Sequence, residues 1–279
     1  KYKEQVLKEY SNNPFIEALP DIFSDEDIID RFDNVPQFEK ESKYQDKKYR
    51  YHILKNIKSY TQILPIHLSI EVKLSTMIRR GYLARNPNDP KYFKRLEILN
   101  DLKENKKVTY QDIDFNMKYM TSTAESMTII GISGMGKTTA IERLLFMYPQ
   151  VIKHSNYKKD HFTRTQIVWL KIDCPYDGSL ATLCKSFFKA IDEILNTNYL
   201  EKYGYSNRIS STMMLYMTYL ASLYGIGVLV IDEIQQLINA KNSMDDMLNF
   251  FVTLSNTVGI PTVLIGTPKA QGLFNGNFR

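Results

Sequence analysis

Two cysteines, one tryptophan and no long apolar run are what this 279-residue chain lacks most plainly. Cys174 and Cys184 are too few for a disulfide framework, and no Cys-x2-Cys or His pair at ligand spacing accompanies them. The four histidines (His52, His67, His154, His161) complete no metal set, and solvated or packed roles are expected of them. Such cysteine usage fits a reducing cytoplasm, the expected location. The longest apolar stretches, Val228–Ile231 and Val263–Ile265, fall far short of the roughly 20 residues that cross a bilayer, and no signal peptide is readable. No membrane partner is therefore expected. The first residue is Lys1 rather than Met, so the chain is expected to lack its natural beginning. Internal repeats and low-complexity tracts are also missing.

What remains is an ordinary globular profile, 43% hydrophobic and 24% charged, sufficient for one large or two modest domains. A net charge of +5 weakly favours an anionic partner, and its distribution says more. Glu17 to Asp33 carries seven acids against Arg31, and Lys40 to Lys58 then carries seven bases against two acids. Blocks of this kind usually form solvated faces or arms; docking is the sharper reading.

The first part of the chain has no series of strand signals. Asn12 to Pro20 is an apolar plug between prolines, Leu68 to Leu83 has helical periodicity ended near Gly81, and Asn86-Pro-Asn-Asp-Pro90 is a turn. A second helix is expected over Lys91–Lys106. These features make residues 1–115 a helical and irregular partner-docking region and place a boundary between Asp112 and Thr121. From Ser126 the pattern alternates as a parallel α/β sheet requires. Strands are expected at Met127–Ile130, Ile167–Ile172, Val228–Ile231 and Thr262–Ile265. Helices are expected at Thr138–Tyr148, Leu180–Leu195, Ser210–Leu223 and Met244–Thr257. The methionines of Ser210–Leu223 read as core filler.

Residues 131 to 138 read Gly-Ile-Ser-Gly-Met-Gly-Lys-Thr, directly after the first expected strand. Gly131, Gly134 and Gly136 let the backbone curl so that its N–H groups face inward on phosphate oxygens, with Ser133 and Met135 between them. Lys137 can reach the β- and γ-phosphates, the Thr138 hydroxyl can meet Mg²⁺, and a helix containing Thr139 adds its positive end. Val228-Leu-Val-Ile-Asp232-Glu233 is an apolar strand ending in two carboxylates, where parallel sheets bind ligands. Asp232 would orient Mg²⁺ and Glu233 would polarise water. A helix cap is the plainer reading of that acid pair, and the phosphate loop upstream weighs against it. Thr267, after Thr262–Ile265, reads equally as a turn cap or as a group touching the γ-phosphate. No arginine follows Arg208 except Arg279.

The acidic pair, the polar strand tip and the long second helix resemble the AAA+ ATPases. Asn13–Pro20, Met77–Pro87, Tyr148–Ile152, Leu170–Cys174, Leu229–Gln235, Met247–Thr253 and Leu264–Ala270 resemble the TnsC family, AAA+ regulators of bacterial cut-and-paste transposons. The resemblance implies a P-loop NTPase (AAA+) sheet with flanking helices over residues 116–279. It also implies ATP and Mg²⁺ as ligands, hydrolysis through Lys137, Asp232 and Glu233, and Thr267 as sensor. The implied partners are duplex DNA held without sequence specificity, a target-selection protein, transposase subunits and further copies in a ring or filament. Lys202 and Arg208, on the basic segment after the second helix, are the implied DNA contacts. A fifth strand and a C-terminal lid are absent before Arg279, so a fragment is expected. Two other readings stay open: a nucleotide switch that gates a partner without touching DNA, and a replication-initiator or helicase-loader ATPase.

Overall fold

The computed structural model describes residues 1–37, 39–104, 122–204, 210–239 and 244–273. The expected boundary at Asp112–Thr121, and both Arg208 and Arg279, lie outside them. Five helices come first: α1 Pro14–Glu17, α2 Asp25–Phe32, α3 Lys47–Lys55, α4 Pro65–Leu83 and α5 Pro90–Glu104. Proline opens α1, α4 and α5, where its missing N–H costs no hydrogen bond. The Asn13 side chain caps α1 by accepting from the Phe15 N–H, and Ser24 and Asp27 close a capping box on α2. The alternating part runs β1 Ser126–Ile130, α6 Lys137–Phe146, β2 Val151–Tyr157, β3 Asp160–Ile167, β4 Trp169–Asp173, α7 Leu180–Leu195, α8 Ser210–Leu223, β5 Val228–Asp232, α9 Met244–Thr253 and β6 Thr262–Gly266.

β1, β6, β5 and β4 form a four-stranded parallel sheet in that spatial order. Every residue of β5 and β6 is buried, which explains why both read as unbroken apolar runs. Along β5, Leu229 and Ile231 pack toward α7, α8 and α9 with Phe187, Met217 and Phe250. Val228 and Val230 pack toward α6 and the N-terminal helices with Ile141, Phe15, Met77 and Tyr82. Helices thus cover both faces, as a P-loop NTPase sheet requires. The N-terminal helices share a core with the sheet: Phe15, Ile16, Leu74 and Ile78 are all fully buried against it. Each such side chain contributes about 1.5–3 kcal/mol. The methionines of α8 are core, with Met213, Met214 and Met217 all buried.

Two expectations need correction. The strand expected at Ile167–Ile172 is two strands: Ile167 ends β3, Val168 donates its N–H to the Gln150 carbonyl, and β4 starts at Trp169. The antiparallel hairpin β2–β3 was not expected at all. Its turn is Lys158–Lys159, with Lys158 at φ 54° and neither glycine nor asparagine present to announce it. The helix expected to reach Thr257 also changes at Leu254 into a wider turn through Val258. No helix among the described residues is long and apolar enough to cross a membrane.

Candidate functional site

Parallel strands deliver their following residues to one edge, and the register sets which residues meet there. Ile130 pairs with Gly266 and Asp173 with Asp232, so the ends of all four strands lie together. The loop after β1 turns into α6 through Gly134 and Gly136, at φ 83° and 82°. An L side chain is strained in that conformation, whereas glycine is not. Gly136 starts α6, its carbonyl accepting from the Ala140 N–H at 2.8 Å. The Lys137 ammonium folds over the loop and donates to the carbonyls of Gly131 at 2.8 Å and Ile132 at 2.9 Å.

Asp232 is almost fully buried at the tip of β5. One of its oxygens accepts from the Thr138 hydroxyl at 2.6 Å, and the other accepts from the Glu233 N–H at 2.8 Å. The phosphate loop and the acid pair are thereby joined across 94 residues of sequence. Glu233 is exposed and held at φ 60°, a left-handed conformation that costs a non-glycine residue about 1–3 kcal/mol. Its side-chain carboxylate accepts from the Gln235 amide, while the Gln235 carbonyl oxygen accepts from the Thr267 N–H at 3.0 Å. Gln235 therefore ties the residue after β5 to the residue after β6.

Thr267 precedes a short 3-10 turn, but its hydroxyl makes no cap bond. That hydroxyl is buried and meets no hydrogen-bond partner among the described residues. The turn-cap reading is thus not what its side chain does. A cleft of about 280 Å³ joins these groups, lined by Ser133, Gly134, Gly136, Lys137, Thr138, Thr139, Asp232, Glu233, Gln235, Gly266 and Thr267. Gly131 and Met135 stand outside that lining. Gly131 N–H donates to the Gly266 carbonyl at 3.2 Å, and Met135 is exposed beside Gly131.

Behind Asp232, Lys171 on β4 approaches Glu142 at 3.0 Å, Asp173 at 3.6 Å and Asp232 at 3.8 Å. Burial pulls the Lys171 ammonium down, but its three acidic neighbours outweigh that and hold it above the usual lysine range. It remains a cation under the acid cluster. The Cys174 thiol, on a residue whose N–H donates to the Asp232 carbonyl, is pushed up to about 12 by burial and by Asp177 and Asp173, which favours the neutral thiol.

Sequence reasoning brought Lys137, Thr138, Asp232, Glu233 and Thr267 to this cleft but missed Gln235 and Lys171. A lysine inside an apolar strand was the available signal for the latter. Lys202 lies elsewhere, exposed on the turn Leu200–Gly204 with its ammonium 5.2 Å from the Tyr203 ring centre.

The cleft suits a nucleotide triphosphate and a hard divalent cation on three counts. Gly134 and Gly136 leave open space where a Cβ would stand, the donor set around Asp232 and Thr138 is oxygen, and the Thr267 hydroxyl is a buried donor with no partner among the described residues. Among the described residues no group of three or more His, Cys, Asp or Glu could hold a metal by itself. A cation here would share its shell with phosphate oxygens.

No curated protein matches this sequence. A family profile described as an AAA domain matches residues 119–274, more than half of the chain, and spans every group of the cleft. The chain belongs to that AAA domain family and carries an AAA-type ATPase domain.

Proposed function

We propose that the protein is a Mg²⁺-dependent ATPase that binds duplex DNA without reading sequence and regulates transposition, joining a target-selection protein to transposase subunits as a ring or filament. The observation that carries the hydrolytic half is the Thr138–Asp232 bond beside Glu233 and the partnerless Thr267 hydroxyl. The regulatory half rests on the TnsC-like segments from Asn13 to Ala270. Membership of the AAA family supports the hydrolytic half.

Phosphoryl transfer needs positioning and charge neutralisation rather than covalent catalysis, and the chain's own groups supply one half of such a site. Lys137 leaves the Gly131 and Ile132 carbonyls and neutralises the β- and γ-phosphates. Thr138 and Asp232 would hold the cation, which when bound would supply Lewis-acid withdrawal of charge from the phosphates. Glu233 accepts a proton from water as the water oxygen bonds to the γ-phosphorus. The bond from that phosphorus to the β–γ bridging oxygen breaks, and ADP leaves. Gln235 limits where the Glu233 carboxylate points, and Thr267 donates its hydroxyl to a γ-phosphate oxygen or to the water.

Binding to a random-sequence duplex, measured over a salt series with and without a non-hydrolysable ATP analogue, tests the regulatory half. The expected result is nucleotide-dependent binding that weakens steeply as salt rises, because phosphate contacts release counterions. Lys202 is a candidate for one such contact. Nucleotide-independent or salt-insensitive binding contradicts the proposal. ATP turnover with no DNA binding leaves the nucleotide switch as the better reading.

A further inference from the structure

Residues 35–60 leave the body of the protein and return to it without burying a single described residue. The excursion is closed at its base. Asn34 and Thr61 exchange backbone hydrogen bonds, both 2.9 Å, and the Ile63 N–H donates to the Asp33 carboxylate at 2.6 Å. Between those ties lies a 3-10 turn at Lys40–Tyr44, then α3, then a second 3-10 turn at Asn56–Ser59. A segment that buries nothing gains little from folding on its own body, so its composition answers to something outside it.

That composition is cationic and aromatic. None of the seven bases between Lys40 and Lys58 meets a carboxylate among the described residues. Lys48 lies over the Tyr49 ring and Lys55 over the Tyr51 ring, with both tyrosines more than half exposed. Lys47, Lys48 and Arg50 follow closely on α3. Tyrosine and lysine supply hydrogen-bond donors and positive charge, the pair of properties that phosphate oxygens take up.

Two other occupants fit less well. Four of the seven acids in the acidic block of a second copy are engaged: Glu17 accepts from the Asn12 N–H, Asp21 pairs with Lys3, Asp27 caps α2, and Asp33 holds Ile63. Three free acids, Asp25, Glu26 and Asp30, do not balance seven cations. An anionic membrane needs a continuous apolar face, and the nine residues of α3 offer only Ile53 and Leu54 as aliphatic side chains.

We infer that the 35–60 arm is a DNA-binding surface that grips the phosphate backbone of a duplex through α3. This rests on the DNA-binding reading above and adds to it a site far in sequence from the AAA domain. The arm positions the protein on DNA without specifying sequence, since its contacts are to backbone charge.

The test compares the full chain with a Lys47→Gln/Lys48→Gln/Arg50→Gln variant on a fluorescent random-sequence duplex, from low to moderate salt. These side chains are exposed, so unfolding is not expected, and thermal melts and ATP turnover of the variant should match the wild type. At about 0.9 per phosphate contact, losing three contacts should make the slope of log K against log salt shallower by about 3. Affinity at low salt should fall in step, and a Lys47→Arg/Lys48→Arg variant should keep the wild-type slope. An unchanged slope in the Gln variant overturns the arm while leaving DNA binding by the protein intact. Failure of the wild type to bind any duplex overturns both readings. If phosphatidylserine vesicles capture the wild type but not the Gln variant, and DNA affinity is equal in the two, the arm is a membrane contact instead.

Discussion

The two ends of the central sheet carry buried polar groups of opposite design. At the carboxyl ends of the strands, Asp232, Lys137, Gln235 and Thr267 surround a cleft. At the amino ends the N-terminal helices and the turn after α4 bring arginine and tyrosine against main-chain carbonyls. Arg85 donates to the carbonyls of Gly81 at 2.8 Å and Ile226 at 2.6 Å, and Arg95 to that of Val258 at 3.0 Å. Tyr82 donates to Gly225 and Tyr92 to Ser222, at 2.8 and 2.9 Å. Gly227 is threaded so tightly between Val168 and Tyr82 that a Cβ would come within 2.4 Å of the Val168 carbonyl. One end of the sheet is clamped and the other is left open for a ligand. Stability and chemistry should therefore separate by end under mutation.

The sharpest break is Lys137→Ala. It should remove measurable ATP binding by equilibrium dialysis while leaving the thermal midpoint within error of wild type, because Lys137 bonds only to its own loop. Arg85→Ala should do the reverse. Its guanidinium is fully buried, and burial lowers it to about 10. Truncation leaves a cavity and strands two carbonyls, for an expected loss of about 3–5 kcal/mol in chemical denaturation. The folded fraction should still bind ATP with wild-type affinity. Glu233→Gln should keep ATP affinity and lower steady-state turnover by about 10²–10³-fold, since only the proton acceptor is removed. Joint loss of affinity and turnover would make Glu233 a structural residue.

The smallest effect concerns Glu71 on α4, buried and bonded through one oxygen to the Tyr148 hydroxyl at 2.5 Å, with its other oxygen unpartnered. Burial raises its carboxyl above the usual range, against the opposing pull of Tyr148 and Arg79. A raised folded value means that its contribution is fully present below the unfolded value and is lost as pH rises through the folded one. The stability of Glu71→Gln relative to wild type should accordingly grow between pH 4 and pH 8, as read from denaturation midpoints.

The open end was legible in the sequence and the clamped end was not. Gly131–Thr138 and Asp232–Glu233 announce themselves because phosphate and metal chemistry demands fixed residue types at fixed spacing. Thr267 was half legible: a strand tip is visible in sequence, but whether its hydroxyl caps a turn depends on geometry. Arg85 follows the last turn of α4 and Arg95 sits in α5, and only the tertiary structure shows both buried. The hairpin escaped because Lys158–Lys159 carries no turn residue, and because Ile167-Val-Trp-Leu runs on without punctuation across a strand boundary. Gln235 could not be singled out, since its role is to span two strand ends that meet only in three dimensions.

Hydrogen exchange with and without saturating Mg·ATP tests the contrast between the two ends most directly. New amide protection is expected at residues 131–139, 232–236 and 266–268, with none at 225–228 or 258–261. Protection confined to the amino-end loops, or none anywhere when the nucleotide is bound, would contradict the assignment of the open end as the ligand site.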